Sequence, residues 1–279
     1  MSKIILSAFA DEYSSCFNEQ INVLINNGFT HIEPRFVDGV NISDLSDSTA
    51  KDVAIKLKNS NIEVSSLGSP LGKINLSDNF NAHLEKTKRT CEIANILNAK
   101  RIRAFSFYLP EGKTREQCKN QVIEYLGKMI DVATEFGVTL CHENEAKIYG
   151  ESPDCCLELL KTFNGKLKCV FDMGNFVLDG YNSLDAYNLL KNYIEYFHIK
   201  DSLYAGAIVP AGKGEAQIAE ILLNYKKDFN RDFIITLEPH LQTFSGLNAL
   251  VGKSFDNPYK YDNQQVAFID AIAKLKDLI

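Results

Sequence analysis

The chain has 279 residues, of which 45% are hydrophobic and 24% charged, a balance typical of a globular protein rather than a disordered or fibrous one. Its formal net charge of −6 argues against a nucleic-acid partner, because nucleic-acid-binding surfaces carry a basic field. The sequence has neither a charged-then-apolar leader nor an apolar run of about 18 residues. We therefore expect a cytoplasmic protein that does not contact a membrane.

Seven cysteines are scattered along the chain: Cys16, Cys91, Cys118, Cys141, Cys155, Cys156 and Cys169. Their odd number and the lack of a C-x-x-C pair argue against a disulfide framework or a structural zinc site. We expect reduced thiols that pack as small apolar side chains, in agreement with a cytoplasmic location.

Short apolar runs rich in β-formers alternate with amphipathic helical stretches along the whole chain. The predicted strands are 3–9, 30–36, 62–68, 101–107, 138–144, 168–174, 195–201 and 233–239. The predicted helices are 14–27, 48–59, 81–97, 118–136, 153–163, 183–193, 215–226 and 262–278. In the fourth helix, apolar residues recur at a spacing of 3.6 from Cys118 to Phe136, and Gly137 provides a stop.

Eight strands that each precede a helix most simply close into a parallel barrel. No linker rich in Pro, Gly or Ser divides the chain, so we expect an α/β fold with a single (β/α)8 TIM barrel domain over residues 1–279. An open doubly wound sheet is the alternative, but it normally has a glycine-rich turn after its first strand, and ILSAFADEY has no glycine. The segment 241–263 is long for a barrel loop, and we expect a lid or a contact between copies of the chain in a homo-oligomer.

Polar residues concentrate at the carboxyl ends of the predicted strands, where barrels of this kind build their active sites. A single Asp or His at such a position is more often a helix cap or a surface group than a ligand. Four consecutive strands, however, end in a residue type that binds hard metal ions: Glu143, Asp172, His198 and Glu238. Three carboxylates that converge with an imidazole would repel each other unless a divalent cation lay between them, and oxygen-rich ligands favour Mn²⁺ or Mg²⁺ over structural zinc.

Short motifs at these strand ends carry a resemblance to a known family. They are SAFADE (7–12), IEPR (32–35), SSLGSPLGK (65–73), RAFSF (103–107), HENE (142–145), FDMGNF (171–176), FHIKD (197–201), PAGKGE (210–215) and LEPHL (237–241). In this order and spacing, the chain resembles the xylose isomerase-like TIM barrels, and among them the sugar phosphate isomerase/epimerase family, over nearly its full length.

The resemblance implies a divalent-metal-dependent isomerase or epimerase that acts on a small polyhydroxy carbonyl compound. Glu143, Asp172, His198 and Glu238 would bind the metal ion, with Mn²⁺ as first choice and Mg²⁺, Co²⁺ or Zn²⁺ as alternatives. Glu143 and Glu238 would also be catalytic, one removing the proton beside the carbonyl and the other returning one, through a metal-stabilised enediolate. The residues assigned to substrate binding are Glu33, Arg35, Arg103, His142, Glu145, Asn175, Lys200, Lys213 and His240.

Departures from the family pattern leave the reaction open. Asn175 stands where many epimerases have a substrate-binding histidine, Lys200 and Lys213 where they often have an arginine, and Glu145 where many have a histidine. Aldose–ketose isomerisation and dehydration of an inosose-type polyol therefore remain alternatives, as does a barrel that binds sugar or metal without turnover. An endonuclease IV-like DNA-repair nuclease is disfavoured, because five histidines are few for a zinc cluster. The segment 212–214 is equally compatible with a phosphate site and a plain loop.

Overall fold

The computed structural model describes residues 2–241 and 259–279. In chain order its strands are β1 (Ile4–Ala8), β2 (His31–Ile32), β3 (Phe36–Val37), β4 (Val40–Asn41), β5 (Glu63–Val64), β6 (Leu67–Leu71), β7 (Arg101–Ala104), β8 (Thr139–Glu143), β9 (Leu167–Asp172), β10 (Ile194–Ile199), β11 (Asp201–Ser202), β12 (Ile208–Val209) and β13 (Phe233–Leu237). Its helices are α1 (Phe17–Asn26), α2 (Asp47–Asn59), α3 (Phe80–Ile96), α4 (Arg115–Glu135), α5 (Pro153–Thr162), α6 (Met173–Leu178), α7 (Ser183–Leu190), α8 (Ile218–Asp228) and α9 (Gln264–Leu278).

A parallel sheet of seven strands forms the wall of a barrel, in the order β1-β13-β10-β9-β8-β7-β6. Strands β2 and β5 pair with each other in a separate parallel ladder. The Glu33 amide donates to the Ala8 carbonyl at 3.1 Å, and the Ser65 amide donates to the Ile32 carbonyl at 2.9 Å, so this ladder links β1 to the chain that enters β6. The predicted α/β TIM barrel is confirmed.

Two of the predicted strands are shorter than expected. The second, predicted over 30–36, is reduced to His31–Ile32, because Pro34 has no amide hydrogen to continue a ladder. The third, predicted over 62–68, is split into β5 and β6, and the pairing of β6 with β7 shifts register between Leu67 and Leu71. Helix α6 and the antiparallel pairs β3–β4 and β11–β12 are additions that the sequence patterns do not predict.

Helix α4 shows how the sequence sets element boundaries. Thr114 caps it by accepting from the Gln117 amide, and the Gln117 side chain accepts from the Thr114 amide in return, so two otherwise unpaired donors are satisfied. Its buried face carries the apolar series predicted from Cys118 onwards. The helix ends just before Gly137, whose φ of 68° suits a residue without a side chain.

Side chains on one face of the barrel strands pack against the surrounding helices. Phe197 in β10 lies 5.0 Å from Tyr225 of α8 and 6.0 Å from Phe171 of β9, measured between ring centroids. Tyr225 also lies 5.0 Å from Phe233 of β13. These aromatic rings fill the layer between sheet and helices, so their strand neighbours must face the barrel interior.

A second, smaller group of buried residues lies on that interior face. We call it the inner floor; it consists of Cys141, Val170, Tyr196 and Ile234. Each member is adjacent in sequence to an apolar residue that packs between the sheet and the helices, as the two-residue period of a strand requires. The floor closes the barrel below the carboxyl ends of the strands.

The predicted lid or subunit contact falls mostly on residues 242–258, which lie outside the described ranges. The predicted segment contains two tyrosines, Tyr259 and Tyr261. Tyr261 donates its hydroxyl hydrogen to Asp270 of α9 at 2.7 Å. All seven cysteines lie within the described ranges and are free thiols, with Cys16 exposed and Cys155 half-buried. None of the helices formed by residues 2–241 and 259–279 combines the length and apolarity needed to cross a bilayer.

Candidate active site

Strand alternation brings four predicted ligand residues together directly above the inner floor. Glu143, Asp172 and His198 each lie two residues beyond a floor residue of their own strand, and Glu238 lies four residues beyond one. They therefore share the interior face of four adjacent strands. We call this set the quartet. One ligand atom from each of its members lies within 4.8 Å of the others, and all four residues are buried.

His198 is the centre of the quartet. Its Nδ1 atom lies 2.8 Å from Glu143 Oε1 and 3.2 Å from Glu238 Oε2. The two glutamates therefore meet at one imidazole nitrogen. They come from opposite sides of the pair β9–β10, since Glu143 ends β8 and Glu238 follows β13. Nδ1 is the nitrogen that faces the two glutamates of the quartet and is therefore the candidate metal ligand.

Glu33 fixes the other face of the same imidazole. His198 Nε2 lies 3.1 Å from Glu33 Oε2, which also accepts from the Thr236 hydroxyl at 2.8 Å. Glu33 Oε1 accepts from the Tyr196 hydroxyl at 2.9 Å. Glu33 is fully buried beneath His198, and both of its oxygens accept from protein groups, so its assignment to substrate binding stays a prediction. Its position suits orientation of the histidine.

Asp172 divides its two oxygens between structure and site. Oδ1 accepts from the Asn175 amide at 2.8 Å and so caps helix α6, whereas Oδ2 faces the quartet. The Asn144 side chain fixes the Asp172 backbone from both sides, donating to its carbonyl at 3.0 Å and accepting from its amide at 3.1 Å. The cap therefore aims one carboxylate oxygen into the cavity.

Two buried cations each contact two members of the quartet. Arg103 Nη1 lies 3.1 Å from Glu143 Oε2 and 3.6 Å from Glu238 Oε1. Lys200 Nζ lies 2.9 Å from Asp172 Oδ2 and 3.3 Å from Glu238 Oε2. Both were predicted to bind substrate, and the structure places both at the cavity, already engaged with carboxylates.

The buried charges shift the ionisation of the quartet in opposite directions. Burial alone would raise the pKa of Glu143, but His198 and Arg103 outweigh it and lower that pKa to about 2. Burial alone would also raise the pKa of Glu238, but Lys200, His240 and His198 together outweigh it and hold that pKa well below its usual range. Burial raises the pKa of Asp172 to about 7 against the opposing effect of Lys200. For His198, burial is outweighed by Glu143 and Glu33, and its pKa is raised well above the usual value.

A second charged layer lies beside Glu238, and it contains two acidic residues that the sequence patterns did not assign to the site, Asp11 and Glu12. Arg35 donates from Nε to Asp11 Oδ2 at 2.9 Å, from Nη2 to Glu12 Oε1 at 3.3 Å and from Nη1 to Glu238 Oε1 at 3.2 Å. His240 Nε2 lies 3.4 Å from Glu12 Oε1 and 3.5 Å from Glu238 Oε1. The available signal was the acidic pair directly after the first strand, in SAFADE.

The ring of Phe9 contacts both arginines of the site. The Arg35 guanidinium carbon lies 4.5 Å from its centroid, and that of Arg103 lies 4.9 Å away. Gly68 makes this arrangement possible, because a Cβ at that position would come within 2.4 Å of the Phe9 ring. The ring therefore packs against two like charges that both reach Glu238.

His142 does not reach the cavity, although it adjoins Glu143 in sequence. Alternation turns it to the opposite face, where its Nε2 lies 3.0 Å from the Ser106 hydroxyl. Gly150 packs against its ring so closely that a Cβ there would lie 2.3 Å from Cε1. Glu145, also predicted to contact substrate, is half-buried and accepts from Lys73 Nζ at 2.9 Å.

The segment 212–214, for which the sequence leaves a phosphate site and a plain loop equally open, uses its amides within the protein. The backbone amides of Gly212, Gly214 and Ala216 all donate to the carboxylate of Asp201, at 2.8 to 3.1 Å. This carboxylate takes the place that an external anion would need. Lys213 is exposed and is not brought together with the quartet, and its assignment to substrate binding stays a prediction.

Asn175 lies next to the quartet, with its polar atoms directed to the protein. Its Oδ1 accepts from Lys200 Nζ at 3.0 Å, and its Nδ2 donates to the Asn144 carbonyl at 2.9 Å. Six of the nine residues predicted to bind substrate contact quartet residues directly: Glu33, Arg35, Arg103, Asn175, Lys200 and His240.

The donor set fits a divalent cation. Three carboxylates and one imidazole nitrogen form an oxygen-rich site of the kind that Mn²⁺ and Mg²⁺ prefer. Among the described residues, none donates a hydrogen bond of normal geometry to Glu238 Oε2, although this atom is buried between His198 and Lys200. A buried carboxylate oxygen in that state is suited to coordinate a cation.

Comparison with known proteins places the chain in a family. The model of the xylose isomerase-like TIM barrel family matches residues 21–241. The match spans well over half of the sequence, and the chain belongs to this family. Among curated protein sequences, no match to the chain is found.

Solved structures share the fold at low sequence identity. D-psicose 3-epimerase, determined in the presence of D-fructose, is 18% identical and covers 99% of this chain and 98% of its own, with a TM-score of 0.74. The IOLI protein with a bound zinc atom is 18% identical over 99% of this chain and 96% of its own, with a TM-score of 0.73. The probable 3-DHS dehydratase AsbF of Bacillus anthracis is 19% identical over 85% of this chain and 92% of its own, with a TM-score of 0.69.

Proposed function

We propose that the protein is a divalent-metal-dependent isomerase or epimerase of a small polyhydroxy carbonyl compound, with the quartet as its metal centre. The observation that carries the proposal is the convergence of four ligand atoms within 4.8 Å of one another on adjacent buried strand ends. Mn²⁺ is the first candidate for the ion, and Mg²⁺, Co²⁺ and Zn²⁺ are the alternatives.

Glu143 and Glu238 are the proposed proton carriers. Both pKa values are lowered, so both carboxylates are ionised near neutral pH, which is the state that accepts a proton from a carbon beside a carbonyl. The divalent ion, when bound, would polarise the carbonyl and stabilise the enediolate. The glutamate that has accepted a proton can return it to the same face of the enediolate, which gives an isomerisation. Epimerisation needs a proton on the opposite face, which the other glutamate delivers after taking one from solvent, while the first glutamate releases its proton to solvent.

Arg103 supports both proposed proton carriers at once. A single guanidinium nitrogen lies within 3.6 Å of an oxygen of each glutamate, and the side chain is anchored by the carbonyls of Gly68 and Ser69 at 3.3 and 3.4 Å. It therefore holds the two carboxylates at a fixed separation and keeps them ionised. Positioning of this kind is what a proton transfer in a buried cavity requires.

Dehydration is the second candidate reaction. Removal of a proton beside a carbonyl can be followed either by return of a proton or by loss of water from the neighbouring carbon. The similarity to D-psicose 3-epimerase favours the first outcome, and that to the probable 3-DHS dehydratase favours the second. The same buried glutamates would begin either reaction.

The test is a screen of ketoses, aldoses and inososes, free and phosphorylated, with Mn²⁺ in D₂O and NMR detection. We expect deuterium to enter the carbon beside the carbonyl of a substrate that is isomerised or epimerised. A new isomer identifies isomerisation or epimerisation, and a product that has lost water identifies dehydration, in which the proton is removed without being replaced. A new isomer without deuterium from solvent would contradict proton exchange through the two glutamates.

Substitution of the two glutamates checks their roles in the same assay. Glu143→Gln and Glu238→Gln should each lower turnover by at least about 1,000-fold while the protein stays folded, because neither amide can accept the substrate proton. Glu92→Gln, on the surface of α3 beside Arg89, is the matched control and should retain full turnover. Near-normal turnover in either cavity variant would refute its assignment.

A further inference from the structure

Lys200 is the one lysine in the described part of the chain whose ammonium group contacts the quartet. It lies 2.9 Å from Asp172 Oδ2, 3.3 Å from Glu238 Oε2 and 3.0 Å from Asn175 Oδ1, and the side chain is only 4% exposed. The ammonium group therefore has three protein oxygens around it and almost no access to water.

The two carboxylate oxygens that Lys200 contacts are also the ones best placed for a metal ion. Asp172 Oδ1 is committed to the cap of α6, which leaves Oδ2 for a ligand. Glu238 Oε1 accepts from Arg35, which leaves Oε2. A metal ion bound by the quartet and the ammonium group of Lys200 thus require the same pair of atoms.

We propose that Lys200 is a tethered counter-ion that competes with the divalent ion for Asp172 and Glu238, and so sets the metal affinity of the site. The inference rests on the proposed metal centre. A cation bound to both oxygens at about 2.0–2.2 Å would stand directly beside the ammonium group, and two such charges in a buried cavity repel strongly. Metal binding therefore requires the ammonium group to withdraw from both carboxylates.

Asn175 provides the group that keeps the displaced ammonium in place. Its Oδ1 already accepts from Lys200, and it is not a member of the quartet. The amide is itself held by the Asn144 carbonyl, so it does not depend on the position of the lysine. The lysine can thus lose its carboxylate partners and still retain a hydrogen-bond acceptor inside the site.

Gly174 fixes the root of the lysine side chain while leaving its end free to shift. A Cβ on Gly174 would lie 2.7 Å from the Lys200 carbonyl oxygen and 2.8 Å from its Cγ, so the helix backbone packs directly on the start of the stem. The distal carbons and the ammonium extend past this contact to the carboxylates. Competition with a metal therefore needs only a movement of the distal side chain.

The experiment is calorimetric titration of the purified protein with Mn²⁺ after treatment with a chelator. Lys200→Met keeps the length of the stem and removes the charge, and we expect it to bind Mn²⁺ at least about tenfold more tightly than the wild type. Without metal, the same variant should unfold at a lower temperature, because Asp172 and Glu238 lose a buried partner. The increase in unfolding temperature on addition of Mn²⁺ should be larger than for the wild type.

A second lysine separates direct competition from a general change of charge. Lys73 pairs with Glu145 and contacts no member of the quartet, although it lies in the same part of the barrel. Lys73→Met should change Mn²⁺ affinity by less than about threefold. An equal gain in both variants would overturn the proposed competition in favour of a general electrostatic effect.

Two further outcomes distinguish the lysine proposal from the metal proposal. If Lys200→Met binds Mn²⁺ with unchanged or weaker affinity while the wild type binds it, the competition is refuted and the metal centre stands. If neither protein binds Mn²⁺, Mg²⁺, Co²⁺ or Zn²⁺, the metal centre itself fails, and the inference falls with it. Lys200→Gln, which can still donate to Asp172, provides the same comparison if Lys200→Met does not fold.

Discussion

At the scale of single residues, the orientation of His198 decides whether the site can hold a metal ion. Its Nδ1 faces two glutamates, because Glu33 occupies the other nitrogen and is itself fixed by Tyr196 and Thr236. The sequence pattern identified the histidine by its type and strand position. It could not identify the role of Glu33, because strand alternation only becomes informative once the register of four separate strands is known.

Glu33→Gln tests this supporting role. An amide offers one acceptor oxygen where three donors now converge, so the imidazole should lose its fixed orientation. We expect the affinity for Mn²⁺ to fall roughly 10- to 100-fold by calorimetric titration, with the fold retained. Glu195→Gln is the matched control, since Glu195 lies in the same strand but pairs with Arg101, and its affinity should equal that of the wild type. Unchanged affinity in Glu33→Gln would refute the supporting role.

At the scale of secondary-structure elements, helix α6 matters most for the site, and the sequence did not predict it. The segment 168–174 indicates a strand that runs through Asp172, but the chain turns there into a helix that Asp172 caps. A six-residue helix is too short to show the 3.6-residue period on which prediction depends. The cap aims Asp172 Oδ2 at the quartet and packs Gly174 against Lys200.

Gly174→Ala tests the close approach of α6 to β10. Because the new methyl group would lie 2.7 Å from a backbone oxygen of Lys200, the two elements must move apart. We expect a loss of about 1–3 kcal/mol in the free energy of unfolding, measured by urea denaturation. We also expect weaker Mn²⁺ binding, since the cap at Asp172 would shift.

Gly127→Ala is the control for that substitution. Gly127 lies inside α4, and the nearest heavy atom to a Cβ there is a Phe163 ring carbon at 3.6 Å, an ordinary contact distance. Alanine should therefore stabilise the protein by roughly 0.5–1 kcal/mol through its higher helix propensity. Equal effects of the two substitutions would mean that the contact between Gly174 and Lys200 is unimportant.

At the scale of the whole molecule, the order of strands and helices was predictable, because each strand is a short apolar run followed by an amphipathic helix. The strand order around the barrel followed from this repeat. The interior charges were less predictable, since which charges meet depends on packing across the barrel. Arg35 joins Glu12 and Glu238, which are more than 200 residues apart in sequence.

The buried interior carries more carboxyl groups than cationic side chains. Around the quartet the carboxyl groups are Asp11, Glu12, Glu33, Glu143, Asp172 and Glu238, and the basic residues among them are Arg35, Arg103, Lys200 and His198, whose pKa is raised. Burial raises the pKa of Asp172 to about 7 and that of Glu12 to about 8, against the opposing effects of Lys200 and Arg35, so part of this excess is neutralised by protons. A divalent cation in the quartet would replace protons as the neutralising charge.

The most direct test of the account is Mn²⁺ titration of the wild type and Asp172→Asn at pH 6 and pH 8. The amide can still cap α6 but supplies no anionic ligand. We expect the wild type to bind about one ion per chain, and more tightly at pH 8, because Asp172 must lose the proton that its raised pKa retains below about 7. Asp172→Asn should bind at least about tenfold more weakly at pH 8, with less dependence on pH. No binding by the wild type, or equal binding by the variant, would contradict the proposed metal centre.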